Sequence, residues 1–222
     1  FQFMAFTPKA CLFDLDGVIV DTAKYHFTGW KRLADELGIP YTHEDNEQLK
    51  GVSRVGSLEY ILEKGGLVLD NDTKVRLMER KNAQYLELVE TMSSAELFPG
   101  VVDFIDELLG AGVKVGLGSS SRNAALILDL CGIADRFEVV VDGNGITFSK
   151  PDPEVFLKGA HYFGFAPQDC VVFEDAVAGI QAALNGKFRA VGVGKQEVLS
   201  QAEVVISGFE GFTLSKLEEH LS

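Results

Sequence analysis

The chain has 222 residues, of which 46% are hydrophobic and 24% are charged, as is usual for a folded globular protein. These values exclude wholesale disorder, a collagen-like repeat and a coiled coil, and the length suits one domain that carries a large insertion. The 20 Lys and Arg residues against 33 Asp and Glu residues leave a net charge of −13. Because so acidic a surface repels phosphate backbones and anionic membranes, we expect no nucleic-acid partner and no membrane partner.

The apolar runs of the sequence also bear on its location. No run reaches the roughly 18 apolar residues that a membrane span needs, and no basic segment followed by an apolar one indicates export. We therefore expect a cytoplasmic protein, and nothing in the sequence demands more than a monomer. Cys11, Cys131 and Cys170 lie in apolar, strand-like or helix-like runs, so we expect three buried, reduced thiols.

From Lys9 onward, apolar runs of strand length alternate with segments of helical period. Strands are predicted at residues 10–13, 113–117, 137–141, 171–173, 190–193 and 204–206. Helices are predicted at residues 101–109, 123–130, 153–163 and 178–184. Such alternation is typical of an α/β fold, in which helices cover both faces of a parallel sheet.

The first two predicted strands are separated by far more chain than a crossover helix needs. Helical patterns occupy residues 24–37, 57–63 and 73–90 of this stretch. A structureless loop of such length would be improbable in a compact domain. We therefore predict an all-helical cap at residues 20–92, inserted into an α/β core made of residues 1–19 and 93–222.

Two pairs of acidic residues follow predicted strands. Asp14 and Asp16 come after the first strand, and Glu174 and Asp175 come after the fourth. Ligands of open parallel sheets bind beyond the carboxyl ends of the strands, where gathered carboxylates repel unless a cation or proton intervenes. Oxygen ligands without nearby His or Cys favour a hard cation, so we expect Mg²⁺. Either pair alone would be more typical of a turn or a helix cap.

Two further features suit a phosphate group. The segment Ser119-Ser120-Ser121-Arg122-Asn123 follows the second predicted strand and opens a helix, so it offers hydroxyls and backbone N–H groups to an anion. Lys150 precedes a rigid turn at Pro151, which can hold its ammonium beside the same cleft. Alone, the serines would be read as a helix cap and the lysine as a surface residue.

In chain order, Asp14-Leu15-Asp16-Gly17, Ser119, Lys150 and Glu174-Asp175 resemble the four motifs of the haloacid dehalogenase superfamily of phosphotransferases. The resemblance implies a Rossmann-like core, Mg²⁺ and an aspartyl-phosphate intermediate. It implies that Asp14 is the nucleophile, that Asp16 is the general acid and base, and that Ser119 and Lys150 hold the transferring phosphoryl group. The implied metal ligands are Asp14, Asp16 through its backbone carbonyl, Glu174 directly or through water, and Asp175.

The predicted cap resembles that of the β-phosphoglucomutase family in the segments Thr22-Ala23-Lys24-Tyr25-His26, Trp30, Lys50 to Leu58, Arg80-Lys81-Asn82 and Tyr85. The resemblance implies that Thr22 and His26 are catalytic residues that couple the position of Asp16 to cap closure. It also implies that Arg54 binds the phosphate that is not transferred, a role suited to a guanidinium. The implied substrate-binding residues are Trp30, Lys50, Gly51, Arg54, Ser57, Lys81, Ser120, Ser121, Arg122 and Asn123.

By this resemblance the reaction is the interconversion of β-D-glucose 1-phosphate and β-D-glucose 6-phosphate through β-glucose 1,6-bisphosphate. Hexose phosphates and a hexose bisphosphate are then the expected small-molecule partners. A Mg²⁺-dependent sugar-phosphate phosphatase is a second hypothesis, because the core motifs alone do not choose between water and a sugar as phosphoryl acceptor. A third hypothesis is a sugar-phosphate sensor without activity, since a fold never proves catalysis.

Overall fold

Six β-strands, nine α-helices and three 3₁₀ turns make up the regular structure of residues 6–222, which are the part of the chain that the computed structural model describes. The strands are β1 (Ala10–Phe13), β2 (Lys114–Gly118), β3 (Val139–Val141), β4 (Cys170–Glu174), β5 (Arg189–Val193) and β6 (Val204–Ile206). The helices are α1 (Ala23–Glu36), α2 (His43–Gln48), α3 (Arg54–Lys64), α4 (Asn71–Val89), α5 (Val101–Gly110), α6 (Ala124–Leu130), α7 (Glu154–Phe163), α8 (Val177–Asn185) and α9 (Leu214–His220).

The strands form one parallel sheet in the order β3-β2-β1-β4-β5-β6, which confirms the predicted α/β core. β1 lies between β2 and β4, so that Phe13 stands beside Leu117 and Phe173. The chain builds one side of the sheet as far as β3 and then returns to the centre to build the other. In such sheets, ligands bind where the strand order reverses, beyond the carboxyl ends of the central strands.

The side chains of β1 alternate between two hydrophobic clusters, one on each face of the sheet. Cys11 and Phe13 join the cluster that includes residues of α5, α6 and α9, whereas Ala10 and Leu12 join the cluster that includes residues of α7 and α8. All four are fully buried. Because both faces are covered, the strand reads as a continuous apolar run rather than as an alternation.

The helices α1 to α4 form a cap with a hydrophobic core of its own. This core includes Trp30, Leu33, Ala34, Ile39, Tyr41, Leu58, Ile61, Leu62 and Leu77. α1 and α3 both pack against α4. α3 begins at Arg54 because the hydroxyl of Ser53 accepts the N–H of Gly56 at 3.1 Å and caps the helix. Ser53, as the N-cap of α3, thereby places Arg54 at the first position of this helix.

The predicted strands and helices are all present, although several ends are shifted. β3 starts at Val139 instead of residue 137, because Ala134–Arg136 forms a 3₁₀ turn whose Ala134 carbonyl accepts the N–H of Phe137. α2 and α9 are additional to the prediction. α2 has the polar sequence HEDNEQ, without an apolar period, but a capping box at Thr42 and Asp45 marks its start.

Three other expectations concern the chain as a whole. The cysteines are buried and free, as predicted. Within residues 6–222, no helix is both long enough and apolar enough to cross a bilayer. The helices α1 to α4 fall within the predicted cap and the six strands fall outside it, but the division at residues 19/20 and 92/93 stays a prediction. Residues 1–5 of the predicted core lie outside the described residues.

Candidate active site

The carboxyl ends of β1, β2 and β4 bring three distant parts of the chain together. Asp14 follows β1, and its N–H donates to the carbonyl of Phe173 in β4 at 3.0 Å. Ser119 follows β2, and its N–H donates to the carbonyl of Val141 at 2.9 Å. Glu174 is the last residue of β4. The parallel register therefore places all three functional side chains at one edge of the sheet.

Three of the four predicted acidic residues form one cluster. Asp14, Glu174 and Asp175 each offer a carboxylate oxygen, and these oxygens lie within 4.8 Å of one another. The carboxylate of Asp175 can approach the loop after β1 because that loop has a glycine at position 17. Gly17 has φ +81°, and a Cβ there would lie 2.1 Å from Oδ2 of Asp175. Asp16 stands apart, because its carboxylate bonds to the cap hinge rather than to this cluster. The sequence had assigned only its backbone carbonyl to the metal.

Lys150 is the buried counter-charge of the cluster. Its ammonium donates to Oδ1 of Asp14 at 2.8 Å, to Oε1 of Glu174 at 2.6 Å and to the carbonyl of Gly118 at 3.1 Å. Burial would lower the pKa of this ammonium, but the two carboxylates outweigh it and raise that pKa. Lys150 therefore remains a cation fixed at the end of β2.

Lys150 alone does not balance the three carboxylates, of which Asp14 and Glu174 are buried. Burial raises the pKa of Asp14 well above its ordinary range, even though the charge of Lys150 opposes it. Burial and the charge of Glu174 likewise raise the pKa of Asp175 to about 7. A divalent cation would relieve this repulsion, and a cluster of carboxylate oxygens alone suits Mg²⁺. The residues present therefore fit the predicted metal.

Asp16 is held by two residues of the segment that joins the core to the cap. The hydroxyl of Thr22 donates to Oδ1 of Asp16, and Nε2 of His26 lies 3.4 Å from the same oxygen. Burial would raise the pKa of Asp16, but the contacts with His26 and Thr22 outweigh it and lower that pKa. Asp16 is thus an ionised base that is kept apart from the metal cluster.

A buried lysine of α4 stands behind His26. Nζ of Lys81 lies 3.4 Å from Nδ1 of His26, and 4.5 Å and 4.7 Å from the ring centroids of Trp30 and Tyr85. Burial and the charge of Arg54 lower the pKa of Lys81 to about 7. Because a carboxylate only accepts, Nε2 of His26 carries the ring proton toward Asp16, and Nδ1 faces the lysine.

The Ser-rich segment after β2 folds back on itself through its hydroxyls. The N–H of Ser121 donates to Oγ of Ser119 at 3.0 Å, and the N–H of Asn123 donates to Oγ of Ser121 at 3.2 Å. The hydroxyl of Ser120 instead donates to the carbonyl of Gly51 at 3.2 Å. This last bond joins the core to the loop between α2 and α3 of the cap.

The same cap loop reaches the carboxylate cluster. Gly51 has φ +72° and approaches the core closely, since a Cβ there would lie 3.1 Å from Cβ of Ala176. The ammonium of Lys50 lies 3.5 Å from Oδ2 of Asp175 and 2.9 Å from Oε2 of Glu47. The loop therefore places a cation of the cap beside a predicted metal ligand of the core.

Two guanidinium groups meet where the cap faces the core. Burial and the neighbouring charge of Arg122 lower the pKa of Arg54. Within residues 6–222, neither arginine forms an ion pair with a carboxylate. Arg54 is half-buried and Arg122 is exposed, and two neighbouring guanidinium groups repel each other unless an anion binds between them. This end of the site therefore suits a phosphate group.

A cavity of about 410 Å³ lies between the cap and the core, within the size range of small-molecule sites. The predicted site residues that line it are Asp14, Asp16, Thr22, His26, Trp30, Lys50, Gly51, Arg54, Ser57, Lys81, Ser120, Ser121, Arg122, Asn123 and Asp175. The remaining three, Ser119, Lys150 and Glu174, are buried outside its lining. Lys150 and Glu174 nevertheless bond to each other, and Lys150 bonds to Asp14.

Two polar side chains of α4, those of Tyr85 and Asn82, are among the cavity residues that the predicted site lacks. Tyr85 lines the cavity, and its buried hydroxyl has no hydrogen-bond partner within residues 6–222. Asn82 lines the cavity beside Lys81 and bonds to Arg54 and Asn123. The helical spacing contained a signal for the tyrosine, because Lys81 and Tyr85 are four residues apart and share one face of α4.

Known proteins resemble this chain over both the sheet and the helical insertion. Residues 8–186 match the family described as haloacid dehalogenase-like hydrolase. A β-phosphoglucomutase of Bacillus subtilis (strain 168) is 43% identical over 213 residues, which are 95% of this chain and 94% of that protein. A phosphorylated carbohydrates phosphatase of Thermotoga maritima is 31% identical over 179 residues, 79% of this chain and 80% of that protein. The crystal structure of a β-phosphoglucomutase from Clostridium difficile matches with a TM-score of 0.93 and 38% identity, covering 96% of this chain and 97% of that chain.

Proposed function

The chain belongs to the haloacid dehalogenase-like hydrolase family, and from that premise we propose that it interconverts β-D-glucose 1-phosphate and β-D-glucose 6-phosphate. The proposal is supported by the similarity to two β-phosphoglucomutases over nearly the whole chain. The reaction passes through a phosphorylated Asp14 and through β-glucose 1,6-bisphosphate. It makes the protein an intramolecular phosphotransferase that acts on hexose phosphates.

The observation that carries the proposal is the presence of two separate sets of groups suited to phosphate, one buried behind Asp14 and one lining the cavity where the cap meets the core. Ser119 and Lys150 lie at the end of β2, next to Asp14. Arg54 and Arg122 lie where the cap meets the core, without an acidic partner in the described chain. A phosphatase acting on a monoester needs only the first set. A sugar that carries two phosphates, and must bind in either orientation, needs both.

Asp14 is the proposed nucleophile, because its carboxylate is buried at the sheet edge, where Lys150 can neutralise a transferring phosphoryl group. Asp14, Glu174, Asp175 and the backbone carbonyl of Asp16 are the residues that would hold Mg²⁺. Bound there, the cation would offset the negative charge that develops on the phosphoryl oxygens. The hydroxyl of Ser119 is the proposed contact to those oxygens, whereas the N–H groups of Ser121 and Asn123 are already bonded within the segment.

Asp16 is the proposed general acid and base. A sugar hydroxyl must lose its proton as it attacks phospho-Asp14, and the sugar oxygen must regain a proton when Asp14 takes the other phosphate back. The lowered pKa of Asp16 keeps it ionised for the first task. Because Thr22 and His26 belong to the cap side of the hinge, Asp16 is held in place when the cap lies over the core. Closure then excludes water from phospho-Asp14.

Product analysis tests the proposal. Purified protein is given β-D-glucose 1-phosphate, Mg²⁺ and a trace of β-glucose 1,6-bisphosphate, and the α and β anomers of every product are resolved by NMR. We expect β-D-glucose 6-phosphate as the main product, with little inorganic phosphate. Rapid phosphate release with little glucose 6-phosphate would instead identify a phosphatase, and binding without turnover would identify a sensor.

The proposal also covers the cofactor, the substrate, the oligomeric state and the cellular location of the protein. Mg²⁺ is proposed from the oxygen-only cluster and its raised pKa values, and glucose phosphates are proposed from the named relatives. A monomeric state and a cytoplasmic location stay predictions from the sequence.

A further inference from the structure

The amide of Asn82 is the acceptor on which two donors of the phosphate-binding end converge. Nη2 of Arg54 donates to Oδ1 of Asn82 at 2.7 Å, and Nδ2 of Asn123 donates to the same oxygen at 3.1 Å. Arg54 opens α3 of the cap, whereas Asn123 directly precedes α6 of the core. One oxygen of α4 therefore gathers a donor from each side of the cavity.

The acceptor, the side-chain amide of Asn82, carries no charge, and this affects the charge that remains on Arg54. A guanidinium at this place is commonly held by a carboxylate, which forms a bidentate ion pair and cancels its charge. Asn82 instead satisfies an N–H donor of Arg54 with an amide oxygen, so the guanidinium keeps its full charge. Burial and the charge of Arg122 lower the pKa of Arg54, and burial and the charge of Arg54 lower the pKa of Lys81, so the charges at this end lie close together. The positive charge at this end of the cavity is therefore not neutralised, so it remains available to bind an anion.

Both donor groups keep hydrogens for a ligand after giving one to Asn82. The Arg54 guanidinium has five N–H donors and the Asn123 amide has two, and both residues line the cavity. The Asn82 amide carries no charge that would compete with the phosphate. It also limits the side-chain freedom of Arg54 before binding, which reduces the entropy lost when the guanidinium is immobilised.

We propose that Asn82 is a positioning residue, which aims the Arg54 guanidinium at the distal phosphate of the sugar while leaving its charge uncancelled. The proposal rests on the proposed function, because that function supplies the distal phosphate. An uncharged side chain at this position is then a requirement for substrate affinity. A purely structural link between cap and core would require only that the hydrogen bonds be made.

The substitution Asn82→Asp separates these two roles, because aspartate has nearly the same shape and still accepts both hydrogen bonds. We expect Asn82→Asp to keep the wild-type melting temperature or to raise it through the new ion pair with Arg54. We expect it to weaken the binding of β-D-glucose 6-phosphate at least tenfold in calorimetric titration, with the loss shrinking at high salt. Phosphorylation by acetyl phosphate, which has no distal phosphate, should change less than twofold.

Two further variants complete the test. Asn82→Ala removes the acceptor without adding charge, and we expect a smaller loss of glucose 6-phosphate affinity, with an increased KM and a phosphorylation rate close to wild type. Asn71→Asp, at the exposed start of the same helix, adds the same charge far from the cavity and should leave affinity unchanged. If Asn82→Asp bound glucose 6-phosphate as tightly as wild type, or lost both phosphate reactions equally, the positioning role would be refuted.

Binding and turnover are measured separately, so this test and the test of the function fail in different ways. A protein that releases only inorganic phosphate, yet loses sugar-phosphate affinity in Asn82→Asp, would refute the mutase and keep the role of Asn82. An active mutase whose Asn82→Asp variant is unaffected would do the reverse.

Discussion

At the scale of single residues, burial sets the protonation of the side chains that the proposed reaction uses. Lys81 is the clearest case, since burial and Arg54 bring the pKa of its ammonium to about 7, whereas its ordinary value is 10.5. Its ammonium lies beside two aromatic rings and the imidazole of His26, and among residues 6–222 no carboxylate is in hydrogen-bonding contact with it. A charged Lys81 thus costs stability, which is typical of residues kept for function.

Replacing this lysine should stabilise the protein in a pH-dependent way. Between pH 7 and 10.5 the folded chain binds fewer protons at Lys81 than the unfolded chain does. The free energy of unfolding of the wild type should therefore rise with pH in this interval, by up to about 1.4 kcal/mol per pH unit. Lys81→Met removes that slope, so its gain over wild type should be larger at pH 6 than at pH 9. Urea denaturation of both proteins at the two pH values measures the difference; an equal gain would contradict the lowered pKa.

Substitutions of Asp14 and Asp16, which lie in one loop, should impair different steps of the reaction. Asp14→Ala should abolish phosphorylation of the enzyme by acetyl phosphate, because the nucleophile is lost. Asp16→Ala should still be phosphorylated but should pass the phosphoryl group to a sugar at least a hundredfold more slowly, since it lacks the base. Rapid-quench measurement of both half-reactions separates the steps. Near-normal phosphorylation of Asp14→Ala would show that the nucleophile is misassigned.

Sequence patterns could locate some of these residues and not others. Asp14 and Glu174 end apolar runs, so their place at the sheet edge follows from local pattern alone. Asn82 could not be found in that way, because its polar neighbours Arg80, Lys81 and Gln84 on α4 are typical of a solvent-exposed helix face; the family resemblance marked the segment but gave Asn82 no role. Its role depends on Asn123, which is 41 positions away along the chain. Only the folded structure brings the two amides together.

At the scale of elements, the loop between α2 and α3 connects the cap to the carboxylate cluster of Asp14, Glu174 and Asp175. Ser120 donates to the carbonyl of Gly51, and the Lys50 ammonium lies 3.5 Å from Oδ2 of Asp175. That oxygen belongs to a predicted ligand of Mg²⁺. A closed loop therefore puts one positive charge next to the place that the cation needs.

Removing this charge should tighten metal binding. Lys50 is partly exposed, so its repulsion is screened by water. We expect Lys50→Met to lower the Kd for Mg²⁺ by roughly tenfold, which corresponds to about 1.4 kcal/mol. Lys74→Met, a cap lysine that pairs with Glu59 on the neighbouring helix, is the matched control and should leave the Kd unchanged. Calorimetric titration with MgCl₂ measures both, and an unchanged or weaker affinity in Lys50→Met would show that the ammonium does not oppose the cation.

The elements themselves were largely predictable, because apolar runs and helical periods record burial directly. The exceptions have a common cause. α2 and α9 are both short. α2 lacks an apolar period, and α9 has only the spacing of Leu214, Leu217 and Leu221, so the existence of both helices depends on capping and on the surfaces against which they pack. The loop at Lys50 and Gly51 was predicted to contact substrate, but its contact with Asp175 depends on how the cap lies on the core.

At the scale of the whole molecule, the order of the strands creates the site. Apolar runs predict six strands, yet they do not say that β1 lies between β2 and β4. That order puts Asp14, Ser119 and Glu174 at the ends of adjacent strands. The direction in which the chain adds strands changes between β1 and β4, and the cap is inserted directly after β1. The order was predictable only through the resemblance to a known superfamily, because it is a property of long-range pairing.

The central claim is that phospho-Asp14 gives its phosphoryl group to a sugar beneath the cap rather than to water. The most direct measurement phosphorylates the enzyme with radioactively labelled acetyl phosphate and then adds unlabelled β-D-glucose 1-phosphate with Mg²⁺. We expect the label to leave the enzyme as sugar phosphate, first as β-glucose 1,6-bisphosphate, and to be absent in the Asp14→Ala variant. Release of the label mainly as inorganic phosphate, at a rate that the sugar does not change, would contradict the claim.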